Sequence, residues 1–281
     1  MTHAISLDQA IARLHDLPAL PVVVSELVAS FGRPEVSVGE LAAKVAQDQA
    51  LAAKTLRLAN SSFYGLQAKV RTISQAIAVL GFDSVRVLVT AAGVIGTFAA
   101  GAAPGFDLAG FWRHAIGTAL CARALARQAG CNPEFAFVAG LLHDLGRLVL
   151  VTRFPEHYAR VMERRALVDG TLIEAERAVL GIDHAQVGRE LARHWKFPEL
   201  TCRAIANHHA PMAQDHGDIP AVVHVANVIA HALDLAGNED ESVPPLSQGA
   251  WDSLRLDAAS LRAVFAAAEA EFEEACQILA A

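Results

Sequence analysis

Helix starts and stops recur along the whole chain, and no stretch alternates convincingly as a strand would. Alanine and leucine dominate while aromatic residues make up only 6%, a mixture that suits helices better than sheets. The expected class is all-α. The punctuation is specific: Pro21 opens a helix running to about Phe31, and Ser37-Val38-Gly39-Glu40 has the capping-box form. Another helix runs from about Gln49 to Leu58. Thr72-Ile73-Ser74-Gln75 starts a short helix that Gly81 stops, and an apolar helix follows over 85–100. Ala103-Pro104-Gly105 is the best internal boundary. Beyond it a helix reaches about Gln128, and Asn132-Pro133-Glu134 starts the next with a cap, a first-turn proline and an acidic residue. Further helices are expected over 155–166, from Thr171 to Gly181, from His184 to Trp195, from Pro198 to about His209, over 219–236 and over about 258–279. The acidic, proline-containing stretch 237–250 reads as a loop.

One apolar segment holds polar groups that need explaining. Gly140-Leu141-Leu142-His143-Asp144-Leu145-Gly146-Arg147 sets an imidazole beside a carboxylate in the helix that begins at Asn132, with an arginine one turn on. Such a pair is costly to bury alone. Either hydrogen bonds to neighbouring helices satisfy it, or a metal ion does. His114, His184, His208-His209 and Asn227 lie on or at the ends of other expected helices, and bundles build metal sites from facing helices. Each also has a plain structural reading. His114 can be a satisfied core histidine, His184 a first-turn surface residue after the cap Asp183, and His208-His209 a helix-end pair favoured by the dipole.

Other classes are narrowed by charge and composition. The net charge is −7 and no basic run stands out, so nothing supplies the clustered cations that nucleic-acid binding needs. A helix-turn-helix over 72–90 is disfavoured because its second helix carries Arg86 and then almost nothing polar. Cys121, Cys131, Cys202 and Cys276 form no C-x-x-C pair and read as small hydrophobes in a reducing compartment. The start, Met1-Thr2-His3-Ala4, lacks the form of a signal peptide, and the apolar run Val87 to Gly105 reads as a buried helix rather than a membrane span. The expectation is a cytoplasmic protein without a membrane partner.

Several of these pieces, taken in order, closely resemble the HDOD family. They are Leu17-Pro18-Ala19-Leu20-Pro21, Leu58-Ala59-Asn60-Ser61-Ser62-Phe63-Tyr64, Ile73-Ser74-Gln75-Ala76-Ile77-Ala78-Val79-Leu80-Gly81, and the Gly140–Arg147 stretch. Gly181-Ile182-Asp183-His184-Ala185-Gln186-Val187-Gly188 and Trp195-Lys196-Phe197-Pro198 followed by Asn207-His208-His209 complete them. The resemblance covers about 13–215. It implies an N-terminal helical part over about 13–103, packed on an HD-like helical core over about 106–235, with 236–281 a loop and a helix docking on that core. HDOD proteins are bacterial and related to the HD superfamily of metal-dependent phosphohydrolases, which includes the HD-GYP phosphodiesterases.

Carried over residue by residue, the resemblance assigns His114, His143 and Asp144 to a first metal. Asp144, His184 and one or both of His208 and His209 would serve a second. Asn227 stands where the superfamily has a final aspartate, and Arg147 stands where HD-GYP enzymes have a lysine, as a phosphate-clamp candidate. The Gly-Tyr-Pro signature is absent, since Ala210-Pro211 follows His209. The implied cofactor is one or two transition-metal ions (iron, manganese, nickel or zinc), with no organic cofactor. With the last carboxylate and the substrate-reading loop missing, the resemblance favours a regulatory protein acting through contacts with signalling proteins, those of cyclic di-GMP pathways included. The alternative is a metal-dependent phosphohydrolase acting on a nucleotide or other phosphoester.

Overall fold

The computed structural model describes residues 4–31, 38–61, 64, 69–98, 105–168, 170–212, 218–237 and 243–279. Among these residues there are sixteen helices and no strand. The N-terminal group comprises α1 (Leu7–Leu14), α2 (Val22–Ala29), α3 (Val38–Gln47), α4 (Gln49–Ala59), α5 (Ile73–Leu80) and α6 (Phe82–Phe98). A second group follows: α7 (Leu108–Ala129), α8 (Pro133–Leu142), α9 (Leu145–Arg153), α10 (Pro155–Leu167), α11 (Leu172–Leu180), α12 (His184–His194), α13 (Glu199–Asn207) and α14 (Ile219–Ala232). The chain closes with α15 (Gln248–Leu254) and α16 (Ala258–Leu279).

Local chemistry sets most of these ends. Asp48, Asp107, Asn132, Thr171 and Asp183 each accept a backbone N–H of the first helical turn through the side chain, a cap worth about 1 kcal/mol. Thr171 with Glu174 and Asp183 with Gln186 form full capping boxes. Thr72 caps α5 by accepting Gln75 N–H, whereas the Gln75 side chain turns to Arg71 N–H, so only half of the expected box forms.

The long helix α7 is the axis of the second group. It packs against α8, α14 and α16, and it buries one face almost completely. The N-terminal helices gather on α6, which contacts α2, α4 and α5 and rests on α8. Two features tie the groups together. Ile5 N–H donates to Leu180 O at 2.8 Å, and α1 lies on α12 and α9. At the other end α16 crosses α7 and reaches α4 and α6. Arg123 on α7, buried to 1% exposure, meets Glu271 of α16 at 2.6 Å.

Four expectations change. The pair His143-Asp144 does not ride one continuous helix: α8 ends at Leu142, His143 is its C-cap, and Asp144 (φ −101°, ψ 5°) is the N-cap of α9. The stretch 237–250 is not loop throughout, because Ser247 caps α15 by accepting Ala250 N–H. Helix α1 precedes the first expected helix, capped by a Ser6–Gln9 box. Pro21 lies just before α2 rather than in its first turn. Expectations at Ser37, Ser62-Phe63 and Ala103-Pro104 lie outside the described residues.

Helix α6 is buried along nearly its whole length. Arg86 lies over the Phe31 ring at 4.0 Å and pairs with Asp83 at 2.7 Å, engaged with its own fold. One helical stretch, 133–153, is long and apolar enough to cross a membrane, yet 83% of its apolar window is buried inside the protein. That stretch is also the one broken at His143-Asp144.

Candidate metal centre

The break between α8 and α9 points two successive side chains into one buried space. His143 is fully buried and Asp144 nearly so. The His143 Nδ1–H donates to Gly140 O at 2.7 Å, one turn back. A carbonyl can only accept, so the proton sits on Nδ1 and the lone pair on Nε2 faces inward. His208, the C-cap of α13, repeats the device with its Nδ1 on Ile205 O at 2.7 Å. His184, first residue of α12, sets Nδ1 2.6 Å from a carboxylate oxygen of Glu176, which is itself fully buried. Three Nε2 atoms on three elements are thereby presented by groups that fix the ring and the tautomer.

They converge on one oxygen. Asp144 Oδ1 lies 3.5 Å from His143 Nε2, 3.3 Å from His184 Nε2 and 3.5 Å from His208 Nε2. The other oxygen, Oδ2, accepts from Arg147 Nη1 at 2.9 Å. His209 Nε2 lies 2.8 Å from His184 Nε2, and His114 Nε2 lies 3.3 Å from His143 Nε2. Two ligand sets emerge, Asp144 with His184, His208 and His209, and Asp144 with His114 and His143. In each set the donor atoms lie within 4.8 Å of one another, and Asp144 belongs to both.

The electrostatics suit a cation. Burial holds the His114 imidazole well below its ordinary pKa, helped by His143 and His231. Burial likewise pushes His143 down to about 4 and drives His209 far down. These rings are neutral at physiological pH, with lone pairs available. Burial alone would raise Asp144, yet His143, His184 and Arg147 together hold it well below the carboxylate range. His184 runs the other way: burial opposes its charge, but Glu176 and Asp144 outweigh that and raise its pKa. Proton affinity concentrated between two carboxylates marks a place that favours positive charge.

The donor set therefore fits a metal ion. Imidazole with carboxylate suits divalent iron, manganese, nickel or zinc, and the facing lone pairs at 2.8–3.4 Å repel unless a cation or a proton lies between them. A further sign comes from α14. Asn227 is 3% exposed, lines the same cavity as Asp144, His184 and His209, and its Oδ1 has no hydrogen-bond partner among the described residues. A buried carbonyl oxygen left so costs about 1–3 kcal/mol, and a cation would satisfy it.

Every site residue expected from the sequence thus lies at this centre or on its cavity. By their three- and four-residue spacing His224, Asn227 and His231 share one face of the expected 219–236 helix; Glu176 alone has no place among the sequence expectations. Glu176 orients His184, and its signal was present: Ile173, Glu176 and Leu180 share the three- and four-residue spacing of a buried face, with a carboxylate where an apolar residue is expected. His231 stacks on His114 at 4.4 Å between ring centroids. His224 is no inward-facing ligand: Nδ1 donates to His208 O at 2.7 Å and Nε2 accepts Ser247 N–H at 2.9 Å. Because Glu176 acts only through His184, Glu176→Ala should leave the fold intact and weaken metal retention roughly 10–100-fold, measured by competition with a coloured chelator.

The cavity over this centre has a volume of about 250 Å³ and is lined, besides the residues above, by Arg147, Arg165, Arg177 and Thr171. Arg177 also pairs with Asp183 at 2.8 Å. Two carboxylates, Asp144 and Glu174, also line it, the first held by Arg147 and the second by the Thr171 cap; with three guanidinium groups and the histidines around it, the space is suited to an anion such as a phosphoryl group.

The comparisons with known proteins agree with this fold. The HDOD domain family matches residues 17–211. Among solved structures, an HDOD domain protein of unknown function from Geobacter sulfurreducens superposes with a TM-score of 0.77 at 25% identity, covering 97% of this chain and 98% of that one. A candidate phosphohydrolase from Shewanella amazonensis superposes with a TM-score of 0.73 at 28% identity, over 96% and 97%. An uncharacterized protein of Treponema pallidum is 27% identical over 226 residues, 79% of this chain and 44% of the relative. Ribonuclease Y of Streptococcus agalactiae is 28% identical over 127 residues, 45% of this chain and 18% of the enzyme. The chain thus spans less than half the length of the curated relatives it matches.

Proposed function

This chain belongs to the HDOD family, and from that premise we propose that it is a regulatory protein whose metal centre receives a phosphorylated small ligand. The supporting observation is the single oxygen Asp144 Oδ1, common to both histidine sets beneath a cavity that three arginines line. Bound there, a divalent ion would supply Lewis acidity toward a phosphoryl oxygen. The chain's own residues do the rest. His143, His208 and His184 are held in the ligating tautomer by Gly140 O, Ile205 O and Glu176. Arg147 fixes Asp144 by its second oxygen and, with Arg165 and Arg177, gives the cavity its preference for anions. Output through contacts with other signalling proteins, cyclic di-GMP pathways among them, completes this reading.

A second reading is favoured by the same cavity. A centre that binds a phosphoester beside a Lewis acid can also hydrolyse it, and the Shewanella amazonensis relative bears a phosphohydrolase name. Asn227 separates the two. An amide oxygen coordinates without offsetting charge, so the first ion is held more weakly than by a carboxylate. Asn227→Asp is expected to tighten metal retention about tenfold. If hydrolysis is limited by that ion, the same variant raises turnover of bis(p-nitrophenyl) phosphate. Elemental analysis of the wild type after loading with manganese or zinc tests both readings. A protein that takes up neither of these ions, nor iron(II) or nickel offered in the same way, ends them together, and metal without turnover leaves the regulatory one.

A further inference from the structure

A second cavity adjoins the first. It lies between the start of α7, the length of α9 and one face of α10, and has a volume of about 500 Å³, within the range of small-molecule sites. Its walls include Phe106, Phe111, Tyr158 and Met162, and also Arg147 and Arg165, which line the metal cavity as well. Arg147 is the partition between them. Its guanidinium meets Asp144 at 2.9 Å on one side and lies 5.7 Å from the Phe111 ring centroid on the other.

The two chambers differ in chemistry. Histidines and Asp144 belong to the first alone, while the aromatic rings and Met162 belong to the second alone. Aromatic faces with a methionine thioether accept flat, polarizable rings better than saturated groups. The second chamber also has two carboxylates, Asp107 and Glu163, on its wall. Asp107 spends one oxygen capping α7. The first chamber has two carboxylates as well, Asp144 on Arg147 and Glu174 in the Thr171 cap. The orientation is set instead by the histidines and Arg177, which line the first chamber alone and favour phosphate there, while Asp107 and Glu163 can accept from a ring N–H edge.

We propose that this second cavity is the other half of the ligand site and takes a flat nucleobase-type ring of a phosphoester whose phosphate lies at Arg147 and Arg165. The proposal rests on the phosphorylated-ligand reading above and adds to it the nature of the organic half. Arg147 links the halves: one guanidinium orients the carboxylate of the metal centre and bounds the ring chamber, so ring and phosphate are read by adjoining surfaces.

Binding to the full chain, loaded with manganese, tests this by calorimetry with three probes: inorganic phosphate, ribose 5-phosphate and guanosine 5′-monophosphate. The ring should make the nucleotide bind roughly tenfold or more tighter than ribose 5-phosphate, since aromatic stacking of a base is worth that much. Ala159 and Met162 line the chamber at exposed positions on α10. Ala159→Trp, and independently Met162→Trp, should fill it and reduce the nucleotide to the affinity of ribose 5-phosphate. Metal content and phosphate binding should stay within about twofold, as neither residue reaches the centre. The inference is overturned if the nucleotide gains nothing over ribose 5-phosphate, or if both tryptophan variants keep the gain. Absence of phosphate binding altogether would instead refute the phosphorylated-ligand reading, and this inference with it.

Discussion

Asp144→Ala is expected to abolish metal retention at both ligand sets at once, because one oxygen serves both. Removing a group that merely orients a ligand costs roughly 10–100-fold in affinity, and removal of the shared ligand should exceed that. The variant should also lose stability in the absence of metal. Arg147 is largely buried and pairs with Asp144, and stripping one partner from a buried ion pair costs about 3–5 kcal/mol. Differential scanning calorimetry with and without manganese separates the effects. The wild type should gain thermal stability on adding the ion, as any ligand of the folded state provides. The alanine variant should start lower and gain nothing. A wild-type-like gain would show that the histidines hold the metal without the carboxylate.

The second large effect lies two residues beyond Asp144 and touches no ligand atom. A methyl group added at Gly146 would stand 1.9 Å from His184 O and 2.6 Å from Gly188 N. Both obstacles are backbone, so no rotamer change relieves the clash. Gly188 on α12 is the reciprocal small residue, and a methyl there would meet Gly146 N at 3.1 Å. This near-contact of α9 with α12 brings His184 to Asp144. Gly146→Ala should therefore cost about 3 kcal/mol or more and part the two ligands, so that stability and metal content fall together. Chemical denaturation and elemental analysis of the same preparation read both. A variant of normal stability without metal, or the reverse, would show that the approach of these helices and the centre are independent.

Much of the fold was legible in the sequence because helix ends are written in local chemistry. Asn132-Pro133-Glu134, Thr171 with Glu174, and the cap Asp183 placed three starts correctly. Helix α1 is written just as locally, in the Ser6–Gln9 box. Helix α15 was obscured because the proline-rich, acidic stretch before it gives no sign that Ser247 begins a helix. The break at His143-Asp144 was not legible. No proline or terminal glycine marks it; it arises where Gly146 must meet the α12 backbone, a contact between residues far apart in the chain. The site was legible as a set of residue types, and its convergence was not. Spacing could not show that Nε2 atoms of His143, His184 and His208 meet at one carboxylate oxygen with His114 against His143, nor that Glu176 stands behind His184.

His224 binds nothing in the centre, yet it joins two distant stretches of chain. One ring nitrogen grips the carbonyl of His208 and the other is gripped by the N–H of Ser247. The segment by which the family is recognised ends at residue 211, so the strut, its far anchor, Asn227 and His231 all come from downstream of it. The portion of the gene that declares kinship is thus smaller than the portion that must travel together for the centre to keep its form. A lineage could exchange its tail, leave every liganding histidine untouched, and still retune how His208 is aimed. Divergence of purpose within such a family need not begin at the residues that touch the metal.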